Sequence, residues 1–169
     1  MDLWDELVDH HGRLSPLFTP ASDSREKWSR YLVKKFSEKS TKLIVAQEDG
    51  EVVGFMLCML SPNDPIFKER TLGIITDVYV SQERRRKGIA KEMLKVALRW
   101  FKKNRVKSVQ LSVAAANFEA RAVWGQLGFK PLIIQKRLDL DAYPATALLA
   151  QEPKKLRRKI VRRTAAEKP

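Results

Sequence analysis

The chain contains little cysteine and no long apolar run. Its 169 residues include a single cysteine, Cys58, which excludes an intramolecular disulfide framework and a cysteine-rich metal site. Cys58 lies within the apolar run 52–60, so we expect a buried structural thiol there. No apolar run approaches the length that spans a bilayer, and the acidic N-terminus lacks a secretory pattern. A cytoplasmic protein without membrane insertion is therefore expected.

Acidic residues are outnumbered by basic ones. The 33 Lys and Arg residues against 20 Asp and Glu residues give a formal net charge of +13 at pH 7. The segment 151–169 holds eight Lys and Arg residues against two Glu residues, a contribution of +6. Stretch 154–163 is typical of segments that bind phosphate backbones without sequence preference. The tail therefore indicates either a nucleic-acid- or ribosome-associated binding module or a flexible solubilising segment.

The pattern of apolar residues predicts one α/β domain at 1–150, followed by the basic tail at 151–169. Two helical segments come first, the second ending near Phe36 with Asp23 or Ser24 as its cap. Two β-rich runs around an Asp-Gly turn then predict a hairpin. The predicted strands are 42–47, 51–60, 72–80, 106–113 and a final strand at 129–140, with helices at 89–104 and 118–127.

A basic turn connects the predicted strand at 72–80 to the helix that starts at Ile89. The turn carries three consecutive arginines and a lysine before Gly88. Backbone N–H groups at the start of a helix converge on one point, and the helix dipole adds positive potential there. The turn therefore predicts a binding site for a polyanion such as a pyrophosphate.

The same turn resembles the acyl-CoA-binding signature of the GNAT family of N-acetyltransferases. The stretch RRKGIA at 85–90 matches the family pattern Arg/Gln-x-x-Gly-x-Gly/Ala, and it follows the strand end DVYV at 77–80. The stretch NFEARAVWGQLGF at 117–129 is similar to the family's second signature. The resemblance covers residues 42–140. It implies a mixed, mostly antiparallel central sheet with two splayed parallel strands, flanked by helices.

The resemblance implies acetyl-CoA as co-substrate, with its pantetheine lying between the two splayed strands. Main-chain groups of the first splayed strand would bind the pantetheine, and N–H groups of the turn would bind the pyrophosphate. Gly88 would allow the backbone to approach the phosphates, because glycine has no Cβ. Asn117 would bond CoA, cap the following helix, or do both. The implied acetyl-CoA-binding residues are Val78, Val80, Arg85, Arg86, Lys87, Gly88, Ile89, Ala90, Lys91 and Asn117.

The implied reaction is direct transfer of an acetyl group to a primary amine of a small molecule or protein. A lysine amine, with a pKa of about 10.4, is protonated at neutral pH, so a base must remove its proton. Asp77 is the first candidate for that base, because it lies on the strand expected to flank the acetyl group. The alternatives for the base are His10, His11 and Glu119.

One position departs from the family pattern. Trp124 occupies the place of the usual tyrosine, the proposed acid for the leaving thiolate, and an indole cannot give up its proton. Tyr79, Tyr143 and Ser112 are the candidates for that acid, with Trp124 as a packing residue.

Two apolar residues near the end of the resemblance bear on assembly. Relatives are often dimers, so Ile133 and Ile134 are expected either to form a homodimer interface or to fill the core. The sequence leaves the identity of the acceptor amine open.

Overall fold

The computed structural model describes residues 2–143 and divides the chain into two units, Met1–Lys130 and Pro131–Pro169. The end of the predicted domain at 1–150 and the whole basic tail, with its predicted nucleic-acid segment 154–163, lie outside the described residues. Within residues 2–143 no helix is both long enough and apolar enough to cross a membrane.

The described helices and strands follow the predicted order as far as the last helix. The helices are α1 (Asp2–Leu14), α2 (Ser24–Phe36), α3 (Ile89–Lys103) and α4 (Phe118–Gln126). The strands are β1 (Thr41–Glu48), β2 (Glu51–Pro62), β3 (Thr71–Val80) and β4 (Val109–Leu111). Asp23 stands at the N-cap of α2, but its side chain makes no capping hydrogen bond. It pairs instead with Lys27 at 2.8 Å.

The sheet has the strand order β1-β2-β3-β4, with two antiparallel pairs and one parallel pair. The parallel pairing of β3 with β4 ends at Ile75 and Leu111, whereas β3 continues to Val80. The predicted α/β class, with a mostly antiparallel sheet and splayed parallel strands, is confirmed. β4 is shorter than the predicted strand 106–113, because its parallel pairing with β3 covers only Val109, Gln110 and Leu111.

A β-bulge in β3 coincides with the end of its pairing to β4. On β2, Cys58 pairs with Ile75 and Leu57 pairs with Asp77, which leaves Thr76 as the extra residue. Side chains alternate between the two faces of a strand, so an extra residue moves the following side chains to the opposite face. Asp77 consequently lies on the face of Leu57 rather than on that of Ile75.

Helix α3 covers one face of the sheet and supplies four of the ten residues of the buried cluster. Ala97 and Phe101 of α3 are 0% and 1% exposed, and they belong to the same buried cluster as Ile75 and Cys58. Burial raises the pKa of the Cys58 thiol to about 12. The predicted buried structural thiol is confirmed, since a thiol at this pKa stays protonated and inert.

Helix α1 is held to both α2 and the sheet. The rings of Trp4 and Trp28 stack with their centroids 5.4 Å apart. Arg25 lies 3.3 Å from the Asp5 carboxylate, which adds an ion pair between the two helices. On the sheet side, Leu7 is buried at 6% exposure. These contacts fix α1 over the face of β3 that carries Asp77.

The predicted final strand at 129–140 is wrong. Residues 129–139 have no regular secondary structure, and a turn covers 140–142. A strand needs a hydrogen-bonding partner as well as apolar residues, and none of the described strands pairs with this segment. Pro131 also lacks the N–H that a ladder requires. Ile133 and Ile134, which belong to the second unit, are 80% and 81% exposed.

We predict that Gly73→Ala destabilises the fold. A β-carbon at Gly73 would lie 2.7 Å from Cδ1 of the buried Phe101 ring, closer than packed carbon atoms approach. Overpacking of this kind costs about 1–3 kcal/mol in the free energy of unfolding, measurable by urea denaturation. Gly12→Ala is the control, because a β-carbon at this position in α1 meets nothing within 4 Å. A Gly73→Ala variant as stable as the wild type would contradict the packing described.

Candidate functional site

A cavity of about 370 Å³ opens where β3 and β4 part. Helix α1 supplies Leu7, His10 and His11 to its wall, and the basic turn and the start of α3 form another side. The end of β4 and the first turns of α4 complete it. Eleven of the thirteen predicted site residues line this cavity, namely Asp77, Val78, Tyr79, Val80, Arg85, Arg86, Gly88, Ile89, Ala90, Lys91 and Asn117.

The backbone of the basic turn leaves the start of α3 without a cap. Gly88 is the N-cap residue, with φ of 82°, and it has no side chain to accept a hydrogen bond. The first helical bond runs from the Glu92 N–H to the Gly88 carbonyl at 3.1 Å. Among the described residues, the N–H groups of Ile89, Ala90 and Lys91 have no acceptor. Unpaired N–H groups at the positive end of a helix dipole form a site for an anion.

A strained residue precedes Gly88 in the same turn. Arg86 has a φ of 62°, a left-handed conformation that side-chain-bearing residues rarely adopt. Its side chain is mostly exposed and lies 3.9 Å from the Glu119 carboxylate. Strain of this kind costs about 1–3 kcal/mol and collects at ligand sites.

The basic side chains of the turn go in different directions. Arg84 pairs with Glu48 at 3.1 Å. Arg85 folds inward, where its Nε donates to the Val80 carbonyl at 3.1 Å and its guanidinium lies 5.3 Å from the centre of the Tyr79 ring. Lys87 does not line the main cavity; it lines a separate groove beside β1.

The contact of Arg85 shows which backbone groups of β3 are turned away from β2. Because the Val80 carbonyl accepts from the Arg85 side chain, it faces the gap between the splayed strands. Backbone groups repeat their direction every second residue, so those of Val78 face the same gap. This part of β3 is a free strand edge with hydrogen-bonding groups available to a ligand.

Asp77 and Tyr79 lie on the face of the sheet that α1 covers, since they pair with Leu57 and Phe55. Burial raises the pKa of the Asp77 carboxyl, and the Thr76 hydroxyl and His11 partly offset the rise.

The hydroxyl of Tyr79 is already engaged. It donates to the Glu6 carboxylate at 3.0 Å. Burial and then the bond to Glu6 raise the pKa of Tyr79. This hydroxyl therefore gives up its proton less readily than an ordinary tyrosine.

The two histidines of α1 are kept in their neutral form. Burial is the main cause that lowers the pKa of His10, and the charge of Arg85 is the second. Burial also lowers the pKa of His11, although the nearby Asp77 acts in the opposite direction. Neutral imidazoles in a cavity of this kind are available as hydrogen-bond acceptors near neutral pH.

Asn117 connects α4 to α1. Its side-chain oxygen Oδ1 accepts from the Ala120 N–H at 3.0 Å and so caps α4, as one of the two predicted roles requires. Its Nδ2 lies 3.3 Å from Nε2 of His10.

The remaining predicted residues are placed as follows. Trp124 packs edge-on against Phe129, with the ring centroids 5.2 Å apart, in the manner expected of a packing residue. Ser112 and Glu119 line the cavity. Tyr143 belongs to the second unit and follows the turn at 140–142.

Three residues that line the cavity or hold one of its side chains were not predicted from the sequence, namely Glu6, Leu7 and Thr76. A signal existed for Leu7, because positions 7, 10, 11 and 14 share one face of a helix. Glu6 and Thr76 carry no such signal, since a partner 73 residues away and a bulge depend on the folded sheet.

Comparison with known proteins identifies a family and a shared fold. Residues 4–129 match the model of the acetyltransferase (GNAT) family. Human N-acetyltransferase 8 is 29% identical over 127 residues, which cover 75% of this chain and 50% of that protein. The chain thus spans about half the length of this curated relative.

Solved structures share the fold. A tetramutant of the BH1408 protein of Bacillus halodurans superimposes with a TM-score of 0.72 at 19% identity, covering 82% of this chain and 90% of that one. A predicted acetyltransferase of Clostridium acetobutylicum, solved with acetyl-CoA, gives a TM-score of 0.61 at 20% identity. That match covers 73% of this chain and 79% of the other.

We predict that Asp77→Asn changes the pH dependence of stability. The pKa of Asp77 lies above its ordinary value of 3.8, so the folded chain holds this proton more tightly than the unfolded chain. The wild type therefore loses stability from Asp77 as the pH rises above 3.8, whereas the asparagine variant does not. Chemical denaturation at pH 3 to 7 should show the variant gaining stability relative to the wild type with rising pH. A constant difference would contradict the burial of this carboxyl.

Proposed function

Because this chain belongs to the acetyltransferase (GNAT) family, we propose that it transfers an acetyl group from acetyl-CoA to a primary amine of a small molecule or protein. One observation carries the proposal. The uncapped start of α3, the basic turn and the free edge of β3 open into the same cavity. An anionic pyrophosphate suits the first two, and an amide-bearing pantetheine suits the third.

The anion-binding part of the proposed site consists mainly of backbone. The free N–H groups of Ile89, Ala90 and Lys91 bind the pyrophosphate, and the positive charge of Arg86 and the other basic residues of the turn supports them. Arg86 remains available because, within residues 2–143, its one ion pair is the long one to Glu119. Lys87 acts through its charge at longer range, since it lines the neighbouring groove.

The free edge of β3 forms the second part of the proposed site. Val78 and Val80 present backbone groups to the gap, and the Arg85 side chain covers the Val80 carbonyl. An amide ligand at Val80 requires the Arg85 side chain to release that carbonyl. Arg85 then becomes free to pair with an anionic group, which fits its place in the basic turn.

Acetyl-CoA supplies the activated acetyl group as a thioester, and the chain supplies position and proton transfer. The lone pair of the amine forms a bond to the thioester carbonyl carbon, the C–S bond breaks, and a thiolate leaves. Placing amine and thioester side by side removes much of the entropic barrier. Asp77 accepts the proton that the amine loses, directly or through water, because its half-buried carboxyl lies on the cavity wall with a raised pKa.

Protonation of the thiolate needs a separate donor. Tyr79 and Ser112 both line the cavity, and Tyr143 is the third candidate from sequence. Tyr79 can serve only after its hydroxyl leaves Glu6. Ser112 is exposed at the end of β4, with no such partner among the described residues. A serine hydroxyl is a weaker acid than a thiol, so we propose that a water molecule held by Ser112 supplies the proton to the thiolate, with solvent replacing it.

We predict that Gly88→Trp abolishes acetyl-CoA binding measured by isothermal titration calorimetry on the purified full chain. A β-carbon at Gly88 would meet no protein atom within 4 Å. We therefore expect a tryptophan there to fill the space beside the backbone that is proposed to bind the phosphates. Loss of two charged hydrogen bonds weakens affinity by about 100-fold or more.

Gly88→Ala is the matched control. It imposes the same positive-φ penalty of about 1–2 kcal/mol on the fold but adds only a methyl group beside the phosphates. We expect its affinity for acetyl-CoA to fall by no more than about tenfold, because a methyl group takes much less of that space than an indole does. If the tryptophan variant and the wild type bind acetyl-CoA with equal affinity, the proposed binding site is wrong.

We predict that Asp77→Asn lowers kcat for acetyl transfer by about 10²- to 10⁴-fold, the usual contribution of a general base. Affinity for acetyl-CoA should change little, because the variant keeps the size of the side chain. The measurement is the rate of CoA release with a reactive amine, together with calorimetric binding. If kcat is unaffected while a neighbouring substitution such as His11→Gln removes activity, the base is not Asp77.

A further inference from the structure

The contact between Asn117 and His10 joins two helices on opposite sides of the cavity. Nδ2 of Asn117, at the start of α4, lies 3.3 Å from Nε2 of His10 on α1, 107 residues earlier in the chain. Both residues line the cavity. We call this contact the His10–Asn117 clasp.

The direction of the hydrogen bond in the clasp follows from the helix cap. Oδ1 of Asn117 accepts from the Ala120 N–H at 3.0 Å, and a flipped amide would place two donors against each other there. Nδ2 therefore points to His10, and an amide nitrogen can only donate. Nε2 of His10 must be the acceptor. The ring consequently carries its proton on Nδ1 and is neutral.

The charged groups around His10 favour this neutral form. Arg85 of the basic turn and Arg13 of α1 repel a positive imidazole, and His11 acts in the same direction. In the part of the chain that the structure describes, Glu119 of α4 acts in the opposite direction and favours protonation. Burial is the largest cause, and the sum lowers the pKa of His10 below its ordinary value of 6.5.

The His10–Asn117 clasp determines which hydrogen-bonding groups of the two residues remain free. His10 has no free lone pair on Nε2 and a proton on Nδ1, so it is not available as the base for the amine. Asn117 has used its oxygen and one N–H, which leaves a second N–H on Nδ2. Because Oδ1 is fixed by Ala120 and Nδ2 by His10, the direction of that remaining donor is fixed as well.

We propose that His10 is a positioning residue, which ties α1 to α4 by accepting a hydrogen bond from Asn117 and thereby aims the remaining amide N–H of Asn117 at the acetyl-CoA in the cavity. This proposal rests on the proposed function, because it takes the cavity to be the acetyl-CoA site. Protonation of His10 breaks the clasp, because Nε2–H and Nδ2–H would then be two opposed donors. Acetyl-CoA affinity therefore falls as the pH drops below 6.5 through the lowered pKa of His10.

The clasp itself is tested by nitrogen NMR of the ¹⁵N-histidine-labelled full chain. The chain has only two histidines, and His10→Gln assigns their signals. We expect His10 as the Nδ1–H tautomer with a pKa below 6.5. In Asn117→Asp the carboxylate still caps α4, and its negative charge beside Nε2 favours the protonated imidazole, so the pKa of His10 should rise relative to the wild type. An Nε2–H tautomer, or an unchanged pKa in this variant, would overturn the clasp without reference to acetyl-CoA.

The positioning role is tested by calorimetry and kinetics at pH 5.5 to 8. His10→Ala should raise Kd and KM for acetyl-CoA about three- to tenfold, the effect of one hydrogen bond, with kcat within about twofold. His10→Gln offers an amide oxygen to Asn117 and should restore affinity at pH 7.5, without the wild-type loss at acid pH. Equal affinities for the alanine and glutamine variants would overturn the role. If the wild type binds no acetyl-CoA, both the positioning role of His10 and the proposed function are wrong. The NMR measurement tests the His10–Asn117 clasp independently of acetyl-CoA.

Discussion

The bulge at Thr76 is the constraint on which the cavity depends. Pairing of β3 with β4 stops at Ile75, immediately before the extra residue. The bulge also moves Asp77 and Tyr79 to the face that α1 covers, where a regular strand would have directed them toward α3. One inserted residue therefore coincides with the start of the gap, with the free edge at Val78 and Val80, and with the turn of Asp77 and Tyr79 to the face that α1 covers.

The electrostatics of the cavity serve two purposes at once. The uncapped start of α3 and the basic turn create positive potential where an anion would bind. The same positive charge, through Arg85, disfavours the imidazolium of His10. The positive potential that would suit the proposed pyrophosphate thus also favours the neutral form of His10, which is able to accept from Asn117. Arg85 belongs to both effects, because its inward fold over Tyr79 brings it close to the histidine.

Much of the fold was predictable because local patterns decide it. Helix α3 begins and ends within a residue of its prediction, since its apolar stripe and the glycine before it mark both boundaries. The hairpin β1–β2 follows from an Asp-Gly turn. The strand at 129–140 failed because apolar residues give strand propensity but not a partner. β4 shortened for a related reason, since a strand ends where its neighbour departs, whatever its own side chains prefer.

The sequence by itself determined the parts of the site that a continuous segment can build: the glycine at a positive φ, the basic turn and the N-cap at Asn117. These depend on conformations and spacings within a few residues. Only the tertiary structure decided which side chains meet, such as Glu6 with Tyr79 and His10 with Asn117, partners 73 and 107 residues apart. Such contacts depend on strand register, on one bulge and on how α1 lies over the sheet. A shift of one residue would turn the same side chains to another face.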